Sequence, residues 1–288
     1  MVSCPGAALT LPAQWRTVDR MLAMYAGFVT VMAATRLDQR GVAWILAAHL
    51  GLGALTALVA RAPVSRFSQV LRAAYPVLLL PGLYSSIDVL NHFGAAPTHD
   101  APLLALEHAV FGLQPARDWW RASPVPFWSA VLHASYFTYY VVVPLPVVVF
   151  LATRRGHLVD GYLTAVIGVF LACYVTYIAW PVAGPYYQFA HPTGPFVDNA
   201  PARAVYRMLA TGSAYGAAFP SSHVAAMVAA TAASWRVAPR LGTLLLVPTA
   251  LLTVGVVYTQ MHYVVDAAAG VLVGLALPLV LRSGRPPG

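Results

Sequence analysis

The sequence predicts an all-α fold, a polytopic integral membrane bundle of about eight transmembrane helices in a single domain. One observation is composition: 59% of the residues are hydrophobic and mean hydropathy is +0.69. A second is charge poverty, because only 9% of residues are Asp, Glu, Lys or Arg, against about 25% in a soluble domain. The third is the recurrence of apolar stretches of about 17–25 residues, the length a helix needs to cross the hydrocarbon core.

Taken in order, spans are expected near 21–37, 41–60, 68–90, 126–152, 160–180, 222–236, 240–259 and 263–282. Residues 1–20 lack an apolar core and a small-residue cleavage site, so no removable signal peptide is read there. Residues 91–125 are too long for a turn. Leu103 to Phe111 is apolar with Glu107 and His108 inside it, and Trp119, Trp120 and Trp128 follow. That pattern suits a short helix in the interface beside an aromatic belt. A second long loop, 181–219, carries Pro181, Gly184, Pro185, Pro192, Gly194, Pro195 and Pro201. On this division residues 1–90 are spans without a motif, 91–125 an interfacial helix and loop, and 126–282 the catalytic core.

Eight spans put both termini on one side. Arginine placement orients them: positions 16, 20, 61, 66, 72, 154, 155, 236, 240, 282 and 285 fall on the terminal side, and Arg36, Arg40, Arg117, Arg121, Arg203 and Arg207 on the other. Cationic loops resist translocation, so the richer face is expected to be cytoplasmic, in a plasma (inner) membrane. The net charge of +8 is then a topology signal, and no nucleic-acid partner is expected. The two cysteines, Cys4 and Cys173, sit in no CxxC or Cys/His cluster, which supports neither a disulfide framework nor a zinc site. The carboxylates are too scattered for a two-metal centre, so no metal and no cofactor are expected.

The chemistry is expected between Phe219 and Gly270. Phe-Pro-Ser-Ser-His (219–223) and His-Tyr-Val-Val-Asp (262–266) head apolar segments, and polar side chains at membrane depth are costly enough to mark function. Pro220 suits the first turn of a helix. The amides of Ser221, Ser222 and His223 would then stand at its positive end, an anion site that fits phosphate. His262 and Asp266 are four apart, so on a helix they share a face and the carboxylate can hold the imidazole N–H. By span parity His223 and His262 lie on one membrane face.

At these residues the chain resembles the type 2 phosphatidic acid phosphatase superfamily of membrane enzymes, with Pro-Ser-Ser-His (220–223) and His-x-x-x-Asp (262–266) similar to its second and third motifs. Phe219, the His-Tyr pair, Glu-His-Ala-Val-Phe-Gly (107–112) and Pro-Val-Ala-Gly-Pro-Tyr (181–186) are similar to the branch of inositol phosphorylceramide synthases and their bacterial relatives. The likeness covers roughly 86–282 and implies a six-helix-type core. Two departures stand out. The chain has no lysine and its one Arg-Pro is at 285–286, so the first motif is missing, and Val256 stands where the third motif carries an arginine.

The resemblance implies that His262, oriented by Asp266, attacks phosphorus to form a phosphohistidine while His223 protonates the departing oxygen, with no metal. The substrate expected is a lipid or prenyl phosphate ester on the extracytoplasmic face, with membrane lipids as partners. Water makes the protein a phosphatase; a lipid alcohol makes it a phosphotransferase. A catalytically silent lipid-binding or transport relative is the remaining alternative. Phosphate still needs help: Ser221 and Ser222 offer amides, Arg207 is either a phosphate ligand or a solvated arginine, and Tyr186, where the lost first motif would fall, offers a hydroxyl. The cluster Tyr136, Tyr139 and Tyr140 reads as packing. His133, His108 and Asp88 are further candidates near the active face.

Overall fold

The computed structural model describes residues 15–63, 65–92 and 96–283. Cys4 and Arg285 lie outside the described residues. The described chain is almost entirely helical, at 79% helix with no strand. In order come α1 (Thr17–Ala34), α2 (Val42–Arg61), α3 (Arg66–Leu90), α4 (Asp100–Phe111), α5 (Pro115–Ala122), α6 (Pro126–Val142) and α7 (Leu145–Ala152). These are followed by α8 (Val159–Ala179), α9 (Pro185–Gln188), α10 (Ala200–Gly212), α11 (Ser222–Val237), α12 (Pro239–Tyr258) and α13 (Val264–Ser283).

Local chemistry explains the boundaries. The α3 start is capped reciprocally: the Ser68 amide donates to Ser65 Oγ at 3.0 Å and the Ser65 amide to Ser68 Oγ at 2.8 Å, satisfying two otherwise orphaned donors. Asn199 caps α10 in one direction, its Oδ1 accepting the Ala202 amide at 2.9 Å. Prolines open α5, α6 and α12 at positions where a missing N–H costs nothing.

All eight expected spans map onto helices, with one correction. The stretch 126–152 is broken: α6 and α7 meet at a 40° bend, where Pro144 and Pro146 can supply no amide to the helix ladder. Among the described residues five helices are long and apolar enough to cross a membrane, or six if the bent pair counts as one. Helix α1, with Asp19 and Arg20 in its first turn, and the 16-residue α11 fall outside that test. A helix covers the stretch expected at 103–111, as α4, with α5 carrying Trp119 and Trp120 behind it.

Helix α8 is the hub, packed by α1, α3, α11 and α13. Residues such as Leu163, Val166, Ile167, Val169 and Tyr177 are wholly buried in it. At its first turn Arg16 joins Asp19 and Asp160 at 2.8 and 3.0 Å, and the Tyr75 hydroxyl donates to Asp19 at 2.5 Å. That polar knot fastens α1, α3 and α8. The loops after the far end of α8 lead into the motif residues.

Candidate active site

The two motif helices are brought together by small residues. A Cβ on Gly270 would meet the Ser221 carbonyl at 2.7 Å, and one on Gly274 the Ala225 carbonyl at 2.5 Å. With hydrogen there, α13 lies against α11 at backbone contact, as close-packed membrane helices do. The Ser221 amide then donates to the Asp266 carbonyl at 3.0 Å, joining the two motifs directly.

Around Pro220 the structure corrects two expectations. Helix α11 starts at Ser222 with Ser221 as N-cap, its Oγ accepting the Val224 amide, so Pro220 precedes the cap instead of filling the first turn. Two of the three amides of the cradle are also taken. The Ser221 N–H goes to Asp266, and the Ser222 N–H donates to the Tyr177 hydroxyl at 3.0 Å, which itself donates to the Pro220 carbonyl at 2.7 Å. Neither amide is left for phosphate. Ser221 is fully buried, while Ser222 lines a cavity together with His223.

His262 and Asp266 do meet, by a different route. His262 lies before α13, in a turn where the Met261 and His262 amides both donate to the Val256 carbonyl at 2.9 Å. Asp266 sits in the first turn of α13, where Oδ2 accepts the Tyr263 amide at 2.8 Å. His262 Nδ1 lies 3.4 Å from Oδ2, at ion-pair distance but without hydrogen-bond geometry. A capped helix start, not a shared helical face, sets the pair. Burial pushes the His262 imidazole down to about 4, partly offset by the Ala218 carbonyl, which keeps the ring neutral and its lone pair available.

His223 faces His262 with ring centroids 6.5 Å apart. Its Nε2 lies 3.1 Å from the Tyr136 hydroxyl, and the Tyr136 and Tyr139 rings lie 4.8 and 4.7 Å from its own. Two members of the tyrosine cluster read as packing therefore hold a motif histidine. The space between the histidines is a small pocket of about 40 Å³ lined by Tyr84, Tyr136, Tyr186, Tyr187, His223 and His262 among others. Tyr186 is thus in the site, its ring stacked 4.4 Å from His191. Arg207 is not: it is exposed on α10, with Nε donating to the Arg203 carbonyl. His133 is buried against Ser129 and Phe196, His108 is exposed, and Asp88 accepts the Tyr215 amide.

Two carboxylates on α4 complete the frame. Asp100 accepts the amides of Ala183 and Gly184 at 2.9 and 2.8 Å and the Tyr263 hydroxyl at 2.9 Å. Gly184 needs this setting, because φ is +88° and a Cβ would meet that of Ala218 at 2.7 Å. Seven residues on, and so on the same helical face, Glu107 accepts the Val265 amide at 3.1 Å. Its other oxygen is buried without a partner, and burial, reinforced by Asp266, raises it above the usual carboxylate range. Glu107 was visible in the sequence as part of a shared segment. Asp100 carried no signal beyond an acidic first turn, and its partners lie more than eighty residues away.

The two ends of the 181–219 segment are joined by a short parallel bridge, in which the Val182 amide donates to the Gly216 carbonyl and the Ala218 amide to the Val182 carbonyl, both at 3.0 Å. No curated protein and no solved structure matches the chain. The sequence model described as PAP2 superfamily matches residues 102–280, which runs from α4 to the last turns of α13 and takes in His223, His262, Asp266 and Glu107, while Asp100 and Tyr84 lie just outside it. The chain belongs to the PAP2 superfamily, and with it to a phosphatase type of protein acting on lipid phosphates in the membrane.

Proposed function

We propose that this protein breaks a phosphate ester of a lipid through a phosphohistidine on His262. The observation that carries this is the facing of His223 and His262 across a pocket, 6.5 Å between ring centroids, with Asp266 behind His262. His262 Nε2, the nitrogen away from Asp266, bonds to phosphorus as the P–O bond to the departing alcohol breaks. His223 gives its Nε2 proton to that oxygen. Water then loses a proton to His223 and takes the phosphoryl group from His262, returning both rings to their starting state. Asp266 holds the imidazole and steadies its positive charge as the bond forms. Tyr136 orients His223, and Tyr186 offers its hydroxyl to a phosphate oxygen.

The test is phosphoenzyme trapping: protein denatured in alkaline detergent during a reaction with ³²P-labelled phosphatidic acid or polyprenyl phosphate carries acid-labile, alkali-stable label in the wild type and none in His262→Ala. Wild-type turnover in His262→Ala would defeat the reading and favour a silent lipid-binding relative.

Transfer to a lipid alcohol, as in inositol phosphorylceramide synthases, is a second reading, favoured by Tyr186 of the 181–186 segment lying in the pocket. Following free phosphate and new lipid products separately divides the two. The pocket is further proposed to face outside the cell, supported by the arginine distribution. Single cysteines at Ala200 and Ser283, in a Cys4→Ser, Cys173→Ala background, should label from outside at 200 and not at 283 with an impermeant thiol reagent. The reverse pattern inverts the orientation.

A further inference from the structure

A second cavity, of about 290 Å³, opens from the same histidine. It touches His223 and Ser222 but not His262. Its floor is Phe170 and Tyr174 on α8, its inner wall Tyr136 and Tyr139 on α6, and its roof Met208 and Leu209 on α10. The outer wall is α3, through Leu80, Pro81, Tyr84 and Ser85. Pro81, Ser85, Tyr140 and Gly212 are exposed, so the cavity opens sideways between α3 and α6. Tyr84 borders both this cavity and the pocket between the histidines, its hydroxyl held by the Ala214 amide at 3.2 Å.

We infer that this groove holds the apolar chain of the alcohol that leaves the phosphate, and that α3 selects that chain. The inference rests on the proposed role of His223 as proton donor to the leaving oxygen. That oxygen must lie within reach of His223 Nε2, on the side of the phosphorus away from His262. A groove that meets His223 alone is therefore the leaving-group side. The walls are aromatic and aliphatic, which suits a hydrocarbon chain, and a volume near the lower end of about 300–1,000 Å³ for ligand pockets admits one chain, not two. Any second chain stays in the bilayer. By reversibility an accepting alcohol enters by the same route: it loses its proton to His223 as its oxygen bonds to phosphorus and the bond to His262 breaks. Helix α3 lies outside residues 102–280 that match the superfamily, so this wall is contributed by the part of the chain that carries no motif.

The test uses the purified full chain in nanodiscs with alkyl phosphates from ethyl to hexadecyl. Wild type should show kcat/KM rising with chain length, and Ser85→Trp, which narrows the mouth from a lipid-facing position, should cut the dodecyl-to-ethyl ratio by about tenfold or more, as a misplaced reacting group does. Equal kcat/KM for ethyl and dodecyl phosphate in the wild type, or an unchanged ratio in Ser85→Trp, overturns the inference even if the phosphohistidine is trapped. A hexadecanol bearing a terminal diazirine gives a readout independent of turnover. Photolysis should label α3 and α6 in the wild type and in His262→Ala alike, and that label should fall in Ser85→Trp. Labelling confined to other helices overturns the groove, whereas groove labelling in a protein that traps no phosphoenzyme overturns only the proposed reaction.

Discussion

The Tyr263 hydroxyl donates to Asp100 Oδ1 over 2.9 Å, so the residue next to the proposed nucleophile is anchored on α4, a helix on the surface of the bundle and not among its spans. The same carboxylate holds the amides of Ala183 and Gly184. Tyr263→Phe removes one of three donors and Asp100→Ala removes the acceptor for all three. A buried hydrogen bond to a charged group is worth about 1.5–3 kcal/mol, so Tyr263→Phe should lower the unfolding midpoint modestly, and Asp100→Ala severely. In Tyr263→Phe, kcat should drop by ~10-fold with KM little changed, because His262 is displaced while the substrate walls stay. Steady-state kinetics on the folded variant checks this.

The acid limb of kcat/KM should lie well below the ordinary histidine value of 6.5. Burial lowers His262 to about 4, so the nucleophile stays neutral through mildly acid pH and activity is lost only as pH falls through its depressed value. Since kcat/KM reports the free enzyme, an acid limb near 6.5 would count against His262 as the neutral nucleophile. Asp266→Asn should fold and lose about 10⁴ in kcat, the scale seen when an orienting carboxylate is neutralised.

Glu107 separates hydrogen bonding from charge. Gln keeps an acceptor for the Val265 amide, whereas Ala strands that amide at a cost of about 1–3 kcal/mol. The folded protein raises Glu107 above 4.5, so it holds a proton the unfolded chain has released, and this group's contribution to stability shrinks as pH rises above 4.5. Wild type should therefore lose stability relative to Glu107→Gln between pH 4.5 and neutrality, measured by thermal melts across that range. A difference that grows in the other direction would refute the sign.

Gly270→Ala should separate the motif helices. Its Cβ would stand 2.7 Å from the Ser221 carbonyl, and overpacking of this kind costs about 1–3 kcal/mol. Because Ser221 is bonded to Asp266 through its amide, activity should fall further than stability does. The paired Gly274→Ala, one turn deeper, should destabilise as much and harm activity less. Comparing melting and turnover for the two variants checks the distinction.

What could be read from sequence divides by the range of the interactions. Apolar length and periodicity are local, so the spans and α4 were legible, and parity alone put His223 and His262 on one face. The break between α6 and α7 was legible too, in Pro144 and Pro146, but apolar length outweighed it. Tyr186 lies in the pocket as expected, whereas the two serine amides and Arg207 are placed otherwise, for a different reason. Whether the Ser221 and Ser222 amides are free depends on Asp266 and Tyr177, each more than forty residues away, and no local pattern announces a donor already in use. Arg207 was chosen for its charge and its loop, yet α10 turns it outward. Asp100, the most connected carboxylate at the site, has all its partners at long range.

The Tyr177 hydroxyl, shared between Pro220 and Ser222, has a bearing on how the protein meets membranes of different thickness. Tyr177 rides on α8, whose spanning window is 78% buried inside the protein, whereas that of α2 is 28% buried. Hydrophobic mismatch acts where lipid touches helix, and it is relieved by tilting at a cost of fractions of a kcal/mol per ångström. Outer helices such as α2 can lean with the bilayer while α8 stays upright in a sleeve of protein. The turn that aims His223 is hung from the most buried of the five long apolar helices among the described residues, so its geometry is insulated from the surrounding membrane.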